Sequence, residues 1–180
     1  SAKTYSTYLG GSQSDTGNDV AVDASGSAYV VGVTTSTNFP VSAGTIQGTS
    51  GGGSDGFWAK YDPAGQRVAS TYLGGTGFDS ANGVAVDAAG NSYLTGETAS
   101  PEFPLVAPVQ STIAGDRDAF ITSLNGSGTA TTFSTFYGGT RYDYGTAIAL
   151  GGTGSIDVVG TTESNDFPAV DPVQSTFGGG

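Results

Sequence analysis

Aspartates recur along this chain at a fixed step. Asp15, Asp79 and Asp143 stand 64 residues apart, and Asp23 and Asp87 keep the same interval. Carboxylates grouped in loops are hard oxygen donors, and Ca²⁺ is the cation such a set would take. No dense D-x-D-x-D-G loop surrounds any of them. The alternative is a structural role, in which each carboxylate caps a turn by accepting backbone N–H bonds. A position repeated in every copy suits that role well. Asp55 and Asp118 read as turn residues too. Asp116-Arg117-Asp118 reads as an exposed charge group rather than a cation clamp. No cofactor other than Ca²⁺ is indicated.

Aromatic residues form the second candidate set. Phe39, Phe103 and Phe167 also keep the 64-residue step, each followed by Pro. They would serve as a sugar-stacking platform or as plugs between repeating units. Tyr142 and Tyr144 flank Asp143 and have no counterpart in the other copies. Aromatics beside a carboxylate suit glycan recognition, or packing at a rim. The inventory for catalysis is poor. With no His and no Cys, neither a Ser-His-Asp nor a Cys-His arrangement can be built. Nothing pairs the few Glu, and the repeated Gly-Gly follows neither the GK[ST] nor the GxGxxG pattern. The expectation is no enzymatic activity; the remaining route to one is an extracellular propeller enzyme whose site lies partly outside this segment.

What must position these residues is a repeated unit. Tyr8-Leu9-Gly10-Gly11 returns as Tyr72-Leu73-Gly74-Gly75 and as Phe136-Tyr137-Gly138-Gly139. Ser6–Val41 and Ser70–Leu105 share 20 identities in 36 ungapped positions. Units of this kind bury their faces only against their neighbours. A content of 31 Gly and 11% aromatics suits short strands and tight turns. In the middle copy, Gly83–Asp87 and Ser92–Gly96 read as a hairpin. Asp118–Leu124 and Thr132–Tyr137 read as third and fourth strands. Four antiparallel strands with small or apolar residues on both faces make a β-propeller blade. The chain is thus all-β and a single segment over 1–180, with repeats at about 6–69, 70–133 and an incomplete 134–180.

The order YLGG, D, VAVD, G, Y, G, FP and then DAF resembles the bacterial β-propeller repeat known as SBBP. The resemblance runs from about Tyr5 to Gly180 and implies four-stranded blades in secreted or surface-attached prokaryotic proteins, with no activity attached. The third copy departs from the pattern. Gly151 replaces the Asp of Asp23 and Asp87, and Asp157 replaces the Tyr of Tyr29 and Tyr93. That hairpin is expected to be looser, or to sit at an end of the array with one face wet.

With strands named a to d, the chain reads d, abcd, abcd, ab. About three blades cannot close a ring, so the array is open or belongs to a larger propeller. Its open edges need covering, by the remaining blades of the same protein or by its own copies. The segment Thr4, Tyr5, Ser6, Thr7, Tyr8 and Leu9 reads as an orphan d strand able to pair with a neighbour, giving a ring or a filament. A net charge of −11 repels phosphate backbones and excludes nucleic acid as an expected partner. No apolar run is long enough to insert in a membrane. The resulting expectation is a structural or adhesive scaffold, extracellular or on the cell surface, with assembly into a fibre or layer. A glycan- or protein-binding module is the alternative.

Overall fold

The computed structural model describes residues 5–152 and 154–179. Ten strands follow one another: β1 (Asp15–Val22), β2 (Ala28–Thr34), β3 (Asp55–Tyr61), β4 (Arg67–Leu73), β5 (Asp79–Val86), β6 (Ser92–Thr98), β7 (Asp118–Leu124), β8 (Thr131–Tyr137), β9 (Asp143–Leu150) and β10 (Ile156–Thr162). They form antiparallel sheets in the orders β1-β2-β3-β4 and β5-β6-β7-β8, with β9-β10 as a separate hairpin. Two whole blades and half of a third therefore stand side by side, and they do not close a ring.

The innermost strand of each blade is longer than its Val-Ala-Val core suggests. Asp79, Ser80 and Ala81 look like loop residues but pair with Thr98, Glu97 and Gly96. Gly96 permits this, since a Cβ there would lie 1.9 Å from Ser80 O. Gly32 faces Thr16 O in the same way, and Gly160 faces Tyr144 O. Each innermost strand also carries a bulge, between Gly17 and Asp19, between Ala81 and Gly83, and opposite Val159 and Gly160. A bulge re-aims one side chain. Here it turns Asn18 and Asn82 toward the next blade. Asn18 Nδ2 donates to Ala81 O at 2.9 Å, and Asn82 Nδ2 donates to Gly145 O at 3.0 Å.

The main core lies between blades one and two. Tyr29, Val31, Trp58 and Leu73 meet Val84, Leu94, Phe120 and Phe136 there. Trp58 Nε1 donates to Ser92 Oγ at 3.0 Å, so the buried indole N–H is satisfied across the junction. A smaller cluster of Phe39, Phe57 and Tyr72 lies on the other face of blade one, with Leu9 packed against it.

The first expected strand is not formed. Thr4 lies outside the described residues, and Tyr5–Leu9 has no strand beside it to bond. Without a partner ladder an extended segment has no sheet to join. Leu9 nevertheless packs as Leu73 does one repeat later. Tyr8 is fully exposed, whereas its counterpart Tyr72 is buried. The third hairpin keeps the register of the other two, bulge included, with one face open to solvent.

Candidate functional site

Asp15, Asp79 and Asp143 are the first residues of β1, β5 and β9, not loop residues as their surroundings suggested. Each lies under the Gly-Gly turn that precedes it. Asp79 Oδ2 accepts from Gly75 N at 2.8 Å and from Ser100 Oγ at 2.7 Å, while the Thr98 hydroxyl donates to Oδ1. Asp15 repeats this with Gly11 N, Ser36 Oγ and Thr34 Oγ1. Asp143 Oδ2 takes Gly139 N and Ser164 Oγ, both at 2.7 Å, but its Oδ1 has no partner. The Thr-x-Ser pairs (34/36, 98/100, 162/164) keep the 64-residue step, and that spacing could have revealed them, although in the third only Ser164 donates to the aspartate.

A second carboxylate adjoins two of these. Asp55 and Asp118 open β3 and β7 and are buried. Asp55 accepts from Ser50 Oγ at 2.6 Å and Gly51 N at 3.1 Å; Asp118 accepts from Gln110 Nε2 at 2.7 Å and Ala114 N at 3.0 Å. A Cβ on Gly74 would sit 2.6 Å from both Asp55 Oδ1 and Asp79 Oδ2, so the two acids flank that glycine. Burial pushes Asp55, Asp79 and Asp118 above the ordinary aspartate range, against the pull of their hydrogen bonds.

Asp23 and Asp87 follow β1 and β5 and close the hairpin turns. Asp23 Oδ1 accepts from Ser25 Oγ, Ser25 N and Ser27 N, and Tyr29 OH donates to Oδ2 at 2.9 Å. The Ser25 hydroxyl and the other donors hold Asp23 well below the usual carboxylate range, and burial with the Asp23 bond pushes Tyr29 up to about 12. At Asp87 burial works in the other direction, but bonds from Asn91 and Ala89 outweigh it and keep the group low.

This donor set does not fit Ca²⁺. The oxygens of Asp15, Asp79, Asp23 and Asp87 face N–H and O–H hydrogens; Asp143 Oδ1 alone of the five carboxylates is left bare, and one oxygen falls far short of the roughly six that Ca²⁺ takes. Among the described residues no group of three or more His, Cys, Asp or Glu is arranged to hold a metal ion. Asp116-Arg117-Asp118 is no clamp either. Asp118 turns inward, and Arg117 pairs with Glu97 at 2.8 Å and lies 4.2 Å from the Phe78 ring centre.

The first two Phe-Pro loops turn their rings inward. Phe39 and Phe103 are buried, their ring centres 4.7 Å from those of Phe57 and Phe120 respectively, so neither offers a ring face to a sugar. Phe167 alone is partly open. It meets Tyr137 edge-on at 5.2 Å and borders a cavity of about 430 Å³ with Ile121, Tyr144, Val158 and Gly160. In the second blade the equivalent space beside Gly96 is filled by the Phe120 ring. Tyr142, just before β9, is 44% exposed, and Tyr144, on the opposite side of β9 from inward-facing Asp143, is 38% exposed. The outer edge of β10 has no strand beside it.

The repeat, the four-stranded blades and the open array agree with one family. A model described as the SBBP beta-propeller repeat matches residues 4–40 and 70–104. Over those two stretches the chain carries SBBP repeats. Each matched SBBP stretch begins with a d-type segment and ends at Phe-Pro, so the repeat unit straddles the boundary between blades. No curated protein matches the chain.

Proposed function

We propose that this chain is a non-catalytic propeller scaffold of a secreted or cell-surface prokaryotic protein. It acts as a structural or adhesive element, completed through strand complementation by its own copies or by remaining blades, and assembles into an extracellular fibre or layer. The observation that carries the reading is that both ends of the array are open. Val20 and Val22 of β1 are 57% and 62% exposed, although their repeat partner Val84 is buried at 6%. At the other end Val159 is 65% exposed, although Val31 is fully buried. Faces that are covered inside the array and bare at its ends are mutually complementary, which is the condition for a head-to-tail contact. The surface charge of −11 supports solubility and disfavours nucleic acid. Sedimentation of the chain over a range of concentrations tests the reading. Association that is lost on deleting residues 1–9 is expected; a monomer at every concentration rejects it.

A second reading, a glycan- or protein-binding module, is favoured by the partly exposed ring of Tyr144, which borders the cavity, with Tyr142 exposed two residues before it. A glycan array probed with the chain and with Tyr144→Ala separates it from the first. Signal lost in the variant supports it, and a blank array rejects the glycan form.

A further inference from the structure

The N-terminal segment and the last loop are two halves of a contact that the molecule already makes twice. In blade one, the segment between β2 and β3 bonds to β4. Ser42 N donates to Ser70 O at 3.0 Å, Gln47 N to Thr71 Oγ1 at 2.9 Å, Tyr72 N to Gln47 O at 3.2 Å, and Gly74 N to Gln47 Oε1 at 3.0 Å. Blade two repeats the set. Val106 N donates to Ser134 O at 3.2 Å, Gln110 N to Thr135 Oγ1 at 2.9 Å, Phe136 N to Gln110 O at 3.3 Å, and Gly138 N to Gln110 Oε1 at 3.1 Å.

The third copy of the loop holds the same shape with no strand against it. Asp171 takes a left-handed φ of 45°, as Ala107 does at 48° and Gly44 at 72°. Gln174 Nε2 donates to Thr176 O at 2.7 Å, repeating Gln110 to Thr112 O at 3.0 Å and Gln47 to Thr49 O at 3.1 Å. Val170 is 83% exposed where Val106 is 37%. A cavity of about 200 Å³ opens beside Ser164, Phe167 and Gln174. Their counterparts Ser36 O and Phe39 N are where the Tyr72 hydroxyl donates at 2.7 Å and accepts at 2.8 Å.

The complementary half is at the other end of the chain. Ser6-Thr7-Tyr8 repeats Ser70-Thr71-Tyr72. The Thr7 hydroxyl donates to Tyr8 O at 3.1 Å, as those of Thr71 and Thr135 do to the following carbonyl at 2.8 Å. Tyr8 projects fully into solvent, while Leu9 is held against its own blade.

We infer that Tyr5–Leu9 of one copy docks on Phe167–Gln174 of a second copy, with Ser6 opposite Val170, Tyr8 opposite Gln174, and the Tyr8 ring in the cavity beside Phe167. This rests on the assembly reading above and names its contact. The loop side already holds the conformation seen in the complete blades, so little ordering entropy is lost there on docking. The contact is heterologous and propagates head to tail.

Sedimentation equilibrium of the full chain, of Tyr8→Ala and of Gln174→Ala tests it. Both side chains are exposed, so neither change disturbs the fold. Each variant alone is expected to associate at least tenfold more weakly than the parent. An equimolar mixture is expected to form a 1:1 dimer through the one intact pairing left. Variants that associate as the parent does overturn the contact but leave assembly standing. If the parent is a monomer throughout, the assembly reading fails, and the contact is tested by adding a synthetic peptide of residues 1–12. Slowed amide exchange over 167–176 then supports the contact, and unchanged exchange overturns it.

Discussion

Phe103→Ala and Phe167→Ala remove the same side chain from equivalent positions of two repeats, and the structure makes their effects unequal. Phe103 is 2% exposed, stacked on Phe120 at 4.7 Å and tilted against Phe136 at 6.2 Å within the main core. Truncating a Phe in such a place costs about 3–5 kcal/mol, because the lost contacts and the cavity add. At roughly 2–4 °C per kcal/mol for a chain of this size, the thermal midpoint drops by about 6–20 °C. Phe167 borders an open cavity and keeps one edge-on partner, Tyr137. Its loss is on the order of 0.5–1.5 kcal/mol, the worth of a single aromatic pair. Circular dichroism melts measure both, and emission from Trp58, which shares the core with Phe103, reports the same transition locally. Equal shifts for the two variants, or a larger shift for Phe167→Ala, would refute the argument that the first two Phe-Pro loops are plugs and the third is open.

Three further outcomes follow from the same geometry. Gly96→Ala places a Cβ 1.9 Å from Ser80 O and is expected to cost more than about 4 kcal/mol, whereas Gly152→Ala, with nothing within 4 Å, stays within about 0.5 kcal/mol in the same melts. Ser92→Ala leaves the buried Trp58 indole N–H without its acceptor and should lower stability by about 1–3 kcal/mol in urea unfolding; no change would mean that the junction bond is unimportant. The pH response has two limbs. Burial holds Asp55, Asp79 and Asp118 above the ordinary value of 3.8, so their contribution is complete below that value and is lost as pH rises through the folded one. Asp23, Asp87 and Asp166 are held lower, and their contribution disappears as pH falls. The midpoint should rise as pH falls from neutral toward the ordinary aspartate value and drop below it, and Asp118→Asn should flatten the rise; a steady decline from neutral pH would contradict it.

Most of the blade was legible because hydrophobic spacing and turn residues carry it. Asp118–Leu124 was readable to the residue, since its apolar side chains and flanking turn leave no alternative. The start of the innermost strand was not, because Asp79, Ser80 and Ala81 look like loop residues and are drawn into the sheet by a glycine on the partner strand. The orphan strand at Tyr5–Leu9 failed for the opposite reason: its sequence is right, but a strand exists only beside a partner. The aspartates were legible as positions and not as roles. What fixes a role is the donor, and the donors of Asp79 lie near residue 100. A sugar platform at Phe39 and Phe103 was readable only from ring chemistry, which does not say which side of a loop the ring takes.

The third repeat also bears on the proposed contact between copies. Blade one is tied to blade two by Asn18, whose amide reaches Ala81 O, and by Asp19, whose Oδ2 accepts Val84 N at 2.9 Å. Blade two keeps only the Asn, since Gly83 stands where Asp19 does. The half blade keeps neither: Thr146 and Ala147 occupy those positions. Its outward sheet face therefore offers apolar side chains such as Val159 but no bulge amide or carboxylate to fix a neighbour's register. The loop at Phe167–Gln174 has lost nothing of the kind. Its left-handed residue, its Gln and its aromatic all match the complete blades. In the proposed assembly, specificity for a second copy would thus reside in the loop and the Tyr8 segment, and burial on the β1 and β9-β10 faces would add affinity without choosing the partner.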